Sequence, residues 1–372
     1  MKKIIFIFFI VIISGISAIA SDRYLFPRLA ASQLFSKYGF LKKSVEDTTI
    51  INKTEQIYIR EDSSVNKIAS QVTPAVVNIV SYSNQKGGVL LKNGTGMIIT
   101  SDGIIMTYSS AIGLEDSSYK IMTNDGNVYD GELLGVDSWS NLAFLKINAS
   151  NLPVIALANP DDHKPGEKIV AIENNLLNQD NRFAQGLLSS FNPAYNISGK
   201  ALAVPEKLEG IFLTDLNFQF LASGGPVIDY SGQAVGIIGS TIRNGQTEYF
   251  VIPADKIEIV IGKAVKKELD TNPVLGIYYL PIDRSYALAN NLDVNQGALI
   301  FSGLNQQGLA VISGTPAAKA GLKLGDIITK VNGEDITLDN NLSTILYKYK
   351  KGDNIQLTLK RGGQETTARV QL

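Results

Sequence analysis

The sequence predicts a mainly β protein, a barrel or sandwich of short strands followed by a smaller region that mixes strands and helices. Three observations lead there. Between residues 76 and 253, short runs of Val, Ile and Leu are broken by Gly, Asn, Asp and Ser, the spacing of many short strands joined by turns. Residues 254–269 then carry Ile257, Val260, Ile261 and Val265 at helical spacing, and Asn272 and Pro273 end that segment. In the last hundred residues, strand-like segments flank a short small-residue helix over residues 315–322, and Ile355, Leu357 and Leu359 alternate with polar residues as an amphipathic strand.

From the N-terminus, Lys2 and Lys3 precede an apolar run over residues 4–13 that continues in small residues to Ala20. As a membrane span, residues 4–20 cover roughly 25 Å at ~1.5 Å per residue, a little short of a ~30 Å hydrocarbon core. Tyr24 and Phe26 then serve as interfacial aromatics. As a cleavable signal peptide, the same run ends in Ala18, Ile19 and Ala20, the small-x-small pattern. Both readings of residues 1–21 place the rest of the chain outside the cytoplasm, either anchored to the cytoplasmic membrane or released. Residues 22–62 lack alternation and read as a stalk, with a short helix over residues 29–38 and aromatic Tyr38 and Phe40 beside Leu41. The strand-rich domain is expected over residues 63–265 and the mixed domain over residues 266–372.

Composition narrows the chemistry. With no cysteine, the chain has no disulfide, thiolate metal site or cysteine nucleophile. A single histidine, His163, rules out a multi-histidine metal centre, and no cofactor is expected. A net charge of -1, from 34 basic and 35 acidic residues, gives no electrostatic reason to expect nucleic acid.

Ser223, Gly224, Gly225 and Pro226 have the look of a serine-protease nucleophile turn, and other motifs sit around them in order. Residues 72–79, 93–99 and 102–107 precede it, and Ala317, Ala318, Lys319, Ala320, Gly321 and Leu322 lead to Gly325, Asp326, Ile327 and Ile328 after it. Together these resemble the HtrA (Deg) family of envelope serine proteases over nearly the whole chain. The resemblance implies a trypsin-like double β-barrel followed by an α+β PDZ domain, and a homotrimer of such barrels. It places Ser223 as the nucleophile, Ser110 where the family has its catalytic histidine, and Asn141 where it has its aspartate. The oxyanion-hole positions become Leu221 and Ser223, with leucine in place of the family's glycine, and Glu173 stands where the family has another glycine.

A serine attacks a peptide carbonyl when a base takes its proton and then protonates the leaving amine. Ser110 does neither near neutral pH. Loss of the histidine alone costs about 10⁶-fold in a serine protease, or roughly 8 kcal/mol of transition-state stabilisation. His163 lies in a turn-rich polar segment and reads as a solvated loop residue, and no lysine is placed by motif near Ser223. The expectation is therefore a vestigial Ser223 in a pseudoprotease, whose glycines and proline persist as a tight turn. The alternative is an active serine endopeptidase with a non-standard base.

Binding logic survives better in the last domain. PDZ domains take a peptide as an added strand and hold its terminal carboxylate on backbone N–H groups. By resemblance Val274, Leu275, Gly276 and Ile277 form that loop. A helix near residues 339–349 supplies the opposite wall, with Leu342 and Leu346 assigned to the groove or to the core. Residues 303–308 enlarge a neighbouring turn. The expected partners are exposed C-termini or unfolded protein segments, bound by a scaffold, sensor or regulator in protein quality control.

Overall fold

The computed structural model describes residues 61–84, 89–159, 163–174, 181–217, 223–303 and 307–372, with a few positions near the N-terminus. The stalk features at residues 24–41, Leu221 and most of the 303–308 turn lie outside the described residues, as does much of the apolar run at 4–20. Among the described residues no helix is long and apolar enough to cross a membrane.

The first strand group is β1 (Val76–Ser83), β2 (Leu90–Ile98), β3 (Ile104–Tyr108), β4 (Ser117–Met122), β5 (Val128–Val136) and β6 (Leu142–Ile147). They close into a barrel in the order β1-β2-β3-β6-β5-β4. The second group is β7 (Lys168–Asn174), β8 (Asn181–Asn196), β9 (Glu209–Thr214), β10 (Pro226–Ile228), β11 (Ala234–Arg243) and β12 (Gln246–Pro253). It closes in the order β10-β11-β12-β9-β8-β7. Closure leaves no unpaired strand edge. Every residue of β3 is buried, which explains an unbroken apolar run where a half-exposed strand would alternate.

Helix α1 (Glu61–Val72) precedes the first barrel, and α2 (Ala254–Val265) leaves the second with Ile257, Val260 and Ala264 buried. The helix ends earlier than residue 269 because Lys267 takes a left-handed φ of 58°. Lys267 N–H then bonds Ala264 O at 3.0 Å and Glu268 N–H bonds Lys263 O at 2.8 Å, the paired bonds of a Schellman stop.

The remaining chain forms a 6-stranded sheet. Its strands β13 (Tyr279–Ile282), β14 (Gly297–Ile300), β15 (Ile327–Val331), β17 (Asn354–Arg361) and β18 (Gln364–Gln371) run in that order, with β16 (Glu334–Asp335) on β15. The helices α3 (Arg284–Ala289), α4 (Gln307–Ala310), α5 (Pro316–Lys319) and α6 (Leu342–Leu346) complete it. The wall helix expected near 339–349 is the shorter α6, fixed at its start by Asn341, whose side chain accepts from Thr344 N–H at 2.9 Å. One buried apolar cluster runs from Val76 of β1 through Trp139 and Leu275 to Leu372. The barrels and the last sheet belong to one compact unit, Glu61–Leu372.

Candidate active-site cleft and peptide groove

Three strand ends bring the predicted cleft residues together. β3 ends at Tyr108 and a 3₁₀ turn follows, carrying Ser110. Asn141 stands just before β6 with a φ of 60°, a left-handed conformation that asparagine tolerates better than most residues. Its carbonyl accepts from Ser109 N–H at 2.8 Å, joining the two turns. Ser223 lies just before β10 and is buried.

The Ser223 hydroxyl donates to Ser240 Oγ on β11 at 2.7 Å, and Ser240 Oγ lies 3.3 Å from Ser110 Oγ. These three hydroxyls form one group in which no member is a base at neutral pH. Asn141 belongs to a second group. Its Nδ2 donates to Tyr108 Oη at 3.1 Å, and Lys207 Nζ donates to its Oδ1 at 2.8 Å. Burial pushes the Tyr108 phenol up to about 12 and holds the Lys207 ammonium below its usual range, against the nearby Asp137 charge.

The two glycines after Ser223 serve close packing. A Cβ on Gly224, whose φ is 97°, meets Thr107 Oγ1 at 2.3 Å and Thr95 O at 2.6 Å; one on Gly225 meets Ile172 O at 2.3 Å. Gly224 N–H bonds Ile238 O at 2.8 Å. The turn is thus wedged between β2 and β3 of one barrel and β7 and β11 of the other.

His163 is not the solvated loop residue that the sequence suggests. Its side chain is only 5% exposed, with Nδ1 2.8 Å from Glu167 Oε2 and Nε2 4.0 Å from Asp229 Oδ2. A turn returning Glu167 N–H to Lys164 O at 3.2 Å folds the carboxylate onto the ring. These three residues are the one described set with metal-capable ligand atoms within 4.8 Å of one another. Asp229 Oδ1 is also committed to Ser231 and Gln233 N–H, at 2.8 and 2.9 Å.

In the last domain Leu275 and Ile277 are buried, Val274 is exposed, and Gly276 adopts a φ of 82°. A Cβ on Gly276 meets the Thr315 side chain at 2.4 Å, so glycine is required there. Leu342 and Leu346 are both buried in the shared core. The Leu275 and Gly276 N–H groups each donate to Glu206 Oε1, at 2.8 Å. Sequence reasoning missed Tyr108, Ser240, Lys207 and Glu206. No motif marks them, because their partners lie between 17 and 70 positions away.

Comparison with known proteins agrees with this architecture. A trypsin-like peptidase domain family matches residues 94–237 and a PDZ domain family matches residues 273–372. The putative serine protease HhoB of Synechocystis is 29% identical over 271 residues, covering 72% of this chain and 63% of its own. Serine protease HTRA1 of Xenopus tropicalis is 27% identical over 366 residues, covering 95% and 77%. A probable periplasmic DegP-like serine endoprotease of Halomonas elongata is 29% identical, over 74% and 55%. The chain therefore spans between about half and three quarters of the length of these relatives. Among solved structures, the HtrA-type protease AlgW with a tripeptide superposes with a TM-score of 0.64 at 21% identity, over 82% of this chain and 95% of that one. AlgW with a decapeptide gives 0.60 at 19%, over 82% and 97%.

Proposed function

The chain belongs to the HtrA family, trypsin-like barrels followed by a PDZ domain, and from that premise we propose that it is a non-catalytic member that binds peptides. The observation that carries this reading is the company kept by Ser223. Its hydroxyl donates to Ser240, and Ser110 stands beyond that. The only histidine of the chain is held by Glu167 and Asp229. A hydroxyl without a base neither attacks a peptide bond at a useful rate nor returns a proton to the leaving amine.

Peptide binding is supported by the PDZ match and by the AlgW structures, which carry peptides. The loop of Val274, Leu275, Gly276 and Ile277 supplies the carboxylate site in this reading. The apolar N-terminal run, as anchor or cleaved signal, and the periplasmic relative support a location outside the cytoplasm, facing exposed C-termini and unfolded segments. A homotrimer follows from the family resemblance.

Lys207 favours a second reading. Its ammonium is partly desolvated and donates to Asn141 at the aspartate position, so a working endopeptidase would need the neutral Lys207 amine to swing from Asn141 and take the Ser223 proton directly, as its unusual base. Incubating the full chain with unfolded casein separates the two. No fragmentation is expected; fragmentation abolished by Ser223→Ala would overturn the first reading, and its further loss in Lys207→Met would establish the second.

A further inference from the structure

A PDZ groove runs between a strand and a helix, with carboxylate-binding N–H groups at one end. Here residues 203–207, from the connection between β8 and β9, engage each of those parts. Ala203 forms an isolated antiparallel bridge with Tyr279 at the start of β13, donating to its carbonyl and accepting from its N–H, both at 3.1 Å. Glu206 Oε1 then accepts from Leu275 and Gly276 N–H at 2.8 Å each. Across the groove, the Ser343 hydroxyl on α6 donates to Lys207 O at 2.7 Å. Asn196 on β8 steadies the segment from the barrel side, its amide donating to Val204 O at 2.9 Å and Lys207 O at 3.1 Å. Ala203 and Pro205 are buried by these contacts.

An antiparallel strand beside β13 and a carboxylate oxygen on the loop amides are the two things an incoming peptide would supply. We propose that residues 203–206 are the resident ligand of this groove, with the Glu206 side chain in the place of a terminal carboxylate, so that an external acid-ended peptide binds by displacing them. The proposal rests on the peptide-binding reading above. Its physics is competition within one chain. Hydrogen bonds from N–H groups to an ionised carboxylate are stronger than neutral ones, and a tethered segment competes at an effective concentration on the order of millimolar. The affinity observed for an external peptide falls in proportion to the fraction of molecules whose groove is open. The occupant also describes its competitor. Ala203 is small and buried opposite Tyr279, so a peptide with a small residue at that register fits, with an ordinary C-terminal carboxylate at the loop.

The test compares the full chain with Glu206→Ala, and with Glu206→Gln as a variant that keeps an uncharged acceptor. The probe is a pool of dye-labelled hexapeptides ending in Ala, any residue, then Val with a free carboxylate, alongside the same pool amidated. Hydrogen exchange over residues 274–279 is measured on the same proteins without peptide. The expected result is exchange at the Leu275 and Gly276 amides at least ~10-fold faster in Glu206→Ala, with β11 unchanged. The acid pool should bind that variant at least ~10-fold tighter than the parent, with Glu206→Gln between them and the amidated pool bound by none. Unchanged exchange, or equal binding of the acid pool by parent and variants, overturns the resident ligand and leaves peptide binding intact. Faster exchange with no binding of the acid pool by any of the proteins overturns the peptide-binding reading itself.

Discussion

At the residue scale, the most unusual group outside the cleft is Glu209. It is fully buried, its Oε2 accepts from Tyr279 Oη at 2.6 Å, and burial raises its carboxyl to about 8 against a Tyr279 hydrogen bond and the Lys256 charge that favour ionisation. An unfolded carboxyl titrates near 4.5. Between those values the folded state keeps a proton that the unfolded state has released, so stability falls as pH rises from about 4.5 to 8, by at most ~1.4 kcal/mol per pH unit. Below that window the contribution is flat. Glu209→Gln should melt close to the parent near pH 5 and at a higher temperature at pH 8.5; melting profiles that run parallel from pH 5 to 9 would show that Glu209 is not the titrating group. Little of this was legible in the sequence. Glu209 opens a strand that reads as apolar, and its partner Tyr279 is 70 positions away. His163 failed for a related reason: its polar neighbours suggested solvent, but Glu167 and Asp229 fold onto it. Ser110, Asn141 and Ser223 were singled out by their offsets from strand motifs, and the fold sets each of them beside a strand end.

At the element scale, the turn entering β10 separates ancestry from chemistry. Ser223 makes one hydroxyl contact, to Ser240, and losing such a bond costs about 1 kcal/mol. Gly224 has a positive φ and backbone and side-chain atoms of β2 and β3 where a Cβ would stand. Urea unfolding should therefore find Ser223→Ala close to the parent and Gly224→Ala destabilised by ~2 kcal/mol or more. The reverse order would mean that the glycine is kept for something other than packing. The presence of many short strands was readable from β-branched runs and turn residues, since closed barrels bury one or both faces of every strand, whereas their order in each barrel came only with the fold. Helix ends were less so. The stop of α2 uses Lys267 where glycine is the usual signal, and α6 begins only at its Asn341 cap.

At the scale of the whole molecule, both barrels meet the PDZ sheet in a junction built from residues distant in sequence. Trp139 packs on Tyr347 with ring centroids 5.2 Å apart, Asn272 Nδ2 donates to Asp137 Oδ1 at 2.5 Å, and Glu206 and Glu209 reach Leu275, Gly276 and Tyr279. Linked motifs announced both domains, but such long-range pairs leave no periodic trace and only the folded chain reveals them. The same distance hides Lys207 from any reading of the cleft by motif. Whether that cleft has kept any chemistry decides the central claim, and a covalent probe of the nucleophile addresses it without a known substrate. Intact-mass analysis of the full chain after incubation with a serine-directed fluorophosphonate should find the unmodified mass, because Ser223 has no base to activate it. A stoichiometric adduct mapped to Ser223 would contradict the account.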